Sequence, residues 1–207
     1  MLSDLLIEQY GYNTPLFLSE IRAEGISPNT LKQQFKRMTD AGILKRFDKG
    51  IYYFPKKSRV LDESYLDGNI VISEKYIKQN GVVFGYYSGT AFANQLGITT
   101  QVPAEKEIVT NKESTKGRRI TLGNYRLRLK KPRGFIDNQN WQLMQLLDLL
   151  NEYPQWSEYP GEEVNLRIAR HIKEKELKRK DLTELLRCYP DKVSRVLLES
   201  ELAYVFA

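Results

Sequence analysis

Apolar residues recur along the first 54 positions at spacings that change once, from helical to alternating. Leu2, Leu5, Leu6 and Tyr10 share one side of a helix of 3.6 residues per turn, which Gly11 ends. Thr14-Pro15 has the form of an N-cap followed by proline at the first helical position, where a missing N–H costs nothing. A second helix is therefore expected over residues 15–23, burying Leu16, Phe17 and Ile21, with Glu24-Gly25-Ile26 as the turn after it. Ser27-Pro28 repeats the device. In the third helix Leu31, Phe35 and Met38 lie at i, i+4 and i+7 and face a core, while Asn29, Thr30, Lys32, Gln33, Lys36 and Arg37 project elsewhere. Gly42 closes that helix. The period then drops to two across 43–47 and 51–54, on either side of an Asp48-Lys49-Gly50 turn in which Gly50 supplies a positive φ. Tyr52 and Tyr53 point to opposite faces of the second strand, so one packs and the other stays wet.

Beyond this block the spacing predicts a helix over 65–80 ending at Asn80-Gly81, then a short strand over 82–86. A helix over 89–97 follows, capped at Ser88 and stopped by Gly97. The clearest alternation comes next: a strand at 107–110, then strands at 119–122 and 125–130 around Gly123-Asn124, a two-residue hairpin turn. Along the last strand Tyr125, Leu127 and Leu129 share one face and Arg126, Arg128 and Lys130 the other, a basic stripe extended by Lys131 and Arg133. Past Asp137 the pattern is helical. Trp141, Leu143, Met144, Leu146, Leu147 and Leu150 form an amphipathic run, broken at 154–160. Helices are expected at 162–177, with Val164, Ile168 and Ile172 inward, and at 181–187 and 191–204. The fold class is α+β: a three-helix-and-hairpin domain over 1–57, a mixed α/β segment with an antiparallel hairpin over 58–137, and a helical part over 138–207 packed with that segment as one domain.

Composition narrows the chemistry. The 207 residues are 41% apolar, with no run approaching the roughly 18 apolar residues a membrane span needs. The N-terminus shows no basic region leading into an apolar run, so a cytoplasmic location is expected. Cys188 and His171 are the only residues of their kinds, too few for a Cys/His zinc site or an intrachain disulfide. His171 is expected at a surface or boundary, and Cys188 as a small core filler. Glu162-Glu163 and Glu174 with Glu176 have basic neighbours and read as solvated helix faces. No catalytic set, metal site or cofactor motif emerges. The net charge of +6 is uneven. Residues 1–60 carry 10 Lys+Arg against 6 Asp+Glu and residues 61–137 carry 12 against 8, whereas 138–207 carry 10 against 12. The excess lies with the first domain and the segment after it, which favours phosphate-bearing partners.

Helix, helix, helix, hairpin is the plan of a winged helix-turn-helix, whose third helix enters a DNA major groove. Asn29, Thr30, Lys32, Gln33, Lys36 and Arg37 suit that role, since Asn and Gln bond bidentately to adenine and Arg or Lys to guanine. Lys45, Arg46 and Lys49 on the hairpin are placed for phosphates or the adjacent minor groove. Arg126, Arg128 and Lys130 form a second basic patch suited to phosphates or an acidic partner. The alternative reading makes the winged helix a scaffold and the basic middle segment a dock for protein or RNA.

The run Gly42-Ile43-Leu44-Lys45-Arg46-Phe47-Asp48-Lys49-Gly50-Ile51-Tyr52 resembles the wing of the AbiEi family, antitoxins of type IV toxin–antitoxin systems that act in abortive infection. Residues 88–103, with Asn94-Gln95-Leu96-Gly97 and Pro103, resemble that family's second block. Glu107-Ile108-Val109-Thr110-Asn111 and Lys130-Lys131-Pro132 are similar too, so the likeness covers 1 to about 133. It implies a non-catalytic repressor that binds promoter inverted repeats of its own operon and counters a nucleotidyltransferase-like toxin. The compact acidic C-terminal part departs from the longer members.

Overall fold

A computed structural model describes residues 2–56, 64–152 and 157–207. The expected hairpin exit at 55–58 and the helix break at 154–160 lie partly outside them. The chain is mixed α+β and divides into two compact units: Met1–Glu74 with Leu122–Asn124, and Lys75–Thr121 with Tyr125–Ala207. The division thus falls beyond the expected residue-57 boundary.

In the first unit, α1 (Leu2–Tyr10) buries Leu6 and half-buries Leu2, Ile7 and Tyr10, whereas Leu5 is 64% exposed and lies off the packed stripe where the spacing had placed it. The expected second helix is absent. Leu16–Phe17 forms a short strand, β1, followed by turns. Its cause is long-range: β1 pairs antiparallel with a strand 35 positions later, Leu16 opposite Tyr52 and Phe17 opposite Ile51. The Leu18 N–H donates to the Gly50 carbonyl at 2.9 Å, extending the ladder. Both β1 side chains are buried, which a strand packed on both faces achieves and a surface helix does not. Thr14-Pro15 carried a genuine local preference, overridden by pairing.

The next helix, α2 (Pro28–Asp40), begins as its sequence requires. Ser27 Oγ accepts the Thr30 N–H at 3.2 Å, and Pro28 occupies the first turn. Leu31 and Phe35 are buried and Met38 half-buried. Strands β2 (Lys45–Asp48) and β3 (Ile51–Tyr53) complete a sheet of order β1-β3-β2, antiparallel throughout, with a register shift between Arg46 and Asp48. Gly50 has φ +75°, as the turn demands. Tyr53 is buried; Tyr52 is half-buried, edge-on to Phe35 at 5.2 Å, so neither tyrosine is left fully wet. Leu6, Leu16, Ile21, Leu31, Phe35, Leu44 and Phe54 form the core.

Helix α3 (Gly68–Tyr76) is shorter than the spacing predicts. Asn80 and Gly81 do not end it; both have positive φ and join β4 (Lys78–Gln79) to β5 (Val82–Val83) in a two-residue hairpin.

The second unit is built on a sheet of β6 (Gly85–Ser88), β7 (Glu105–Thr110), β9 (Tyr125–Lys130) and β8 (Arg118–Leu122), in that spatial order. β6 and β7 are antiparallel, with α4 (Gly89–Gln95) between them in sequence. β7 and β9 are parallel, with Glu107 opposite Arg128 and Val109 opposite Lys130. Leu127 and Leu129 are fully buried, as the alternation predicts.

The helical part comprises α5 (Trp141–Glu152), α6 (Gly161–Glu174), α7 (Arg179–Leu185) and α8 (Asp191–Glu199). Seven residues of α5, Gln145 among them, are buried, so this helix is enclosed on most sides rather than amphipathic. Val164, Ile168 and Ile172 join Leu146, Leu150, Val193 and Leu197 in one core. Cys188 is exposed, contrary to the core-filler expectation; its neighbour Tyr189 takes the buried position. No helix among the described residues is long and apolar enough to cross a membrane.

Candidate nucleic-acid interface

Once α2 commits Leu31 and Phe35 to the core, its remaining side chains have no inward place. Asn29, Thr30, Lys32, Gln33, Lys36 and Arg37 are all exposed. Thr30 Oγ1 is engaged by Ser27 Oγ at 2.9 Å, so Thr30 belongs to the helix cap first. The side chains of Asn29, Lys32, Gln33, Lys36 and Arg37 make no hydrogen bond or ion pair with any other described residue. A row of long polar groups with no internal duty keeps its full bonding capacity for an outside partner.

The β2–β3 hairpin is internally braced. Asp48 Oδ1 accepts the Lys49 N–H at 2.6 Å, and Oδ2 accepts the Gly123 N–H at 3.0 Å. Arg46 is exposed but donates from Nε to the Asp48 carbonyl at 3.2 Å. Lys45 is half-buried, with Nζ 5.6 Å from the Tyr65 ring centre. Lys49 alone of the three is exposed with no side-chain partner among the described residues. Of the three hairpin cations, Arg46 and Lys45 are thus partly structural and Lys49 is left at the turn.

The basic stripe of β9 is largely neutralised from within. Lys130 Nζ lies 2.5 Å from Glu107 and 3.1 Å from Glu152, with its side chain only 19% exposed. Burial alone lowers its pKa, but the two carboxylates outweigh that and raise it. Arg128 sits 3.7 Å from Glu107. Arg126 is exposed. Alternation had separated the two faces correctly; it gave no sign that β7 and α5 bring carboxylates to the cationic one.

One polar constellation escaped sequence reading. Tyr86 Oη donates to Asp148 Oδ2 at 2.7 Å, Arg133 Nε lies 3.7 Å from Asp148 Oδ1, and Tyr189 Oη donates to the Met144 carbonyl at 3.1 Å. Burial raises the Asp148 pKa against the pull of Tyr86 and Arg133, and burial beside Asp148 pushes both tyrosines up. These residues come from β6, the loop after β9, α5 and the segment before α8, so no local motif announces them. His171 is half-buried, edge-on to Phe92 at 5.5 Å, and burial followed by Lys175 lowers its pKa. Glu163 pairs with Arg167 at 2.6 Å one helical turn on. No group of three or more metal-binding side chains occurs among the described residues.

The family model described as "Family of unknown function (DUF6088)" matches residues 14–140. That is more than half of the chain, which therefore belongs to this family. No curated protein matches it.

Proposed function

We propose that this DUF6088 chain is a double-stranded-DNA-binding regulator of its own operon, acting through an N-terminal winged helix-turn-helix. The observation that carries the reading is the exposed face of α2, where the side chains of Asn29, Lys32, Gln33, Lys36 and Arg37 have no partner among the described residues. Supporting it is the order α1, β1, α2, β2, β3 with sheet order β1-β3-β2, which sets a hairpin beside the helix that would read bases. Gln33 and Arg37 would contact base edges, Lys32 and Lys36 the flanking phosphates, and Lys49 a phosphate from the turn.

The resemblance to AbiEi antitoxins extends the proposal: promoter inverted repeats as the operator, and a nucleotidyltransferase-like toxin as the antagonised partner. The competing idea of a docking face on the basic middle segment is weakened by the carboxylates that already hold Lys130 and Arg128.

Binding to the duplex upstream of the gene, against a scrambled duplex across a salt series, tests the reading. Preference for the upstream duplex supports an autoregulator. Equal binding to both, or none, would sink it.

A further inference from the structure

A cavity of about 430 Å³ opens in the second unit, between the C-terminal end of β9, the end of β6 and the last turn of α5. Its volume lies in the range of small-molecule sites, about 300–1,000 Å³. Two kinds of group line it. Lys116, Lys131 and Arg133 are exposed cations at its wall, and neither lysine side chain has a partner among the described residues. Arg133 meets Asp148 only at 3.7 Å. Deeper groups are acceptors. Asn151 Oδ1 and Glu152 Oε2 are buried with no hydrogen-bond partner among the described residues, although Glu152 Oε1 is held by Lys130. Ser88, also on the wall, is 2% exposed, and its hydroxyl makes no capping bond to α4.

Buried acceptors without donors cost stability, so a native fold keeps them where something else supplies the donors. The wall carries four cations, Lys116, Lys130, Lys131 and Arg133, against two carboxylates, Asp148 and Glu152, and that excess of positive charge asks for an anion. Together the two sets describe one molecule with a charged end and a donor-bearing body. The geometry points to a binding site for a small phosphate monoester of nucleoside monophosphate size. Its phosphate lies against Lys116, Lys131 and Arg133, and its hydroxyl or amino groups donate to Asn151 and Glu152. The site does not depend on the DNA-binding reading, because every residue in it belongs to the second unit.

Calorimetric titration of the full chain with AMP, GMP, CMP and UMP, with the four nucleosides and with inorganic phosphate, tests this. At least one monophosphate should bind saturably, more tightly than its nucleoside and than phosphate alone. The exposed double substitution Lys116→Ala/Lys131→Ala should lower that affinity about tenfold or more while circular dichroism stays native. Asn151→Ala should reduce the advantage of the monophosphate over inorganic phosphate; Lys32→Ala on α2 should change nothing. No saturable binding by any monophosphate, binding no tighter than phosphate, or unchanged affinity in the double variant would each overturn the assignment.

Discussion

At the scale of single residues, the face of α2 separates into groups with different duties. Ser27 and Thr30 secure the helix start, whereas the side chains of Gln33 and Arg37 have no partner among the described residues. If those two read bases, Gln33→Ala or Arg37→Ala should each cost about 1–3 kcal/mol of operator binding and relax preference at one base pair. Melting temperature should not move. Lys49→Ala should instead weaken all duplexes alike and reduce the salt slope by about 1, measured by fluorescence anisotropy at several salt concentrations. Glu113 is a residue of another sort. It accepts from the Ser114 and Thr115 amides at 3.0 Å, from Thr115 Oγ1 at 2.9 Å and from Arg118 at 2.8 Å. Burial pushes its carboxyl up, but Arg118 and these hydrogen bonds win and hold it at about 2. A carboxylate depressed below its unfolded value of about 4.3 stabilises the fold above that pH, and the contribution disappears as pH falls from there through about 2. Glu113→Gln should therefore flatten the acid limb of stability in that window and, above it, lower stability by an amount that does not change with pH, as denaturant titrations at stepped pH would reveal.

At the scale of elements, legibility followed the distance over which a cause acts. α2 was readable to its first residue, because Ser27, Pro28, Leu31 and Phe35 carry the cap and the stripe locally. β1 was not, because Tyr52 and Gly50, far along the chain, decide that Leu16 and Phe17 are a strand. The Asn80-Gly81 dipeptide was expected to stop a helix; the pairing of Gln79 with Val82, which local spacing does not show, makes it a hairpin turn instead. On β9 the faces were legible and the ion pairs were not, since Glu107 and Glu152 arrive from other elements. Core substitutions should respect the same logic. Phe35→Ala removes a fully buried ring that packs on Tyr52, and should cost about 3–5 kcal/mol of unfolding free energy. Ser27→Ala, which removes one cap bond, should cost only about 1 kcal/mol. A Ser27→Ala loss as large as that of Phe35→Ala would mean that α2 is held by its cap rather than by its stripe.

At the scale of the whole molecule, the two halves differ in how they bring residues together. The first unit builds its α2-and-hairpin face from one stretch of chain, which is why the candidate DNA-reading residues could be picked out from spacing. The second unit draws its cavity from β6, the 112–117 loop, β9 and α5, and the Tyr86–Asp148 bond alone bridges 62 positions. That site was invisible to any motif. The central β7–β9 pairing is parallel, and such a pair cannot be closed by a short turn. During synthesis β7 therefore emerges with one edge open, and waits for β9 to be made. A bare strand edge is a template for the wrong chain. Over that interval Glu105, Lys106 and Glu107 put charge along the open edge. Glu105→Val should accordingly lower the soluble yield of refolding at high protein concentration far more than it lowers equilibrium stability. The acid that finally pairs with Arg119 thus serves twice: before its partner exists, it keeps strangers away.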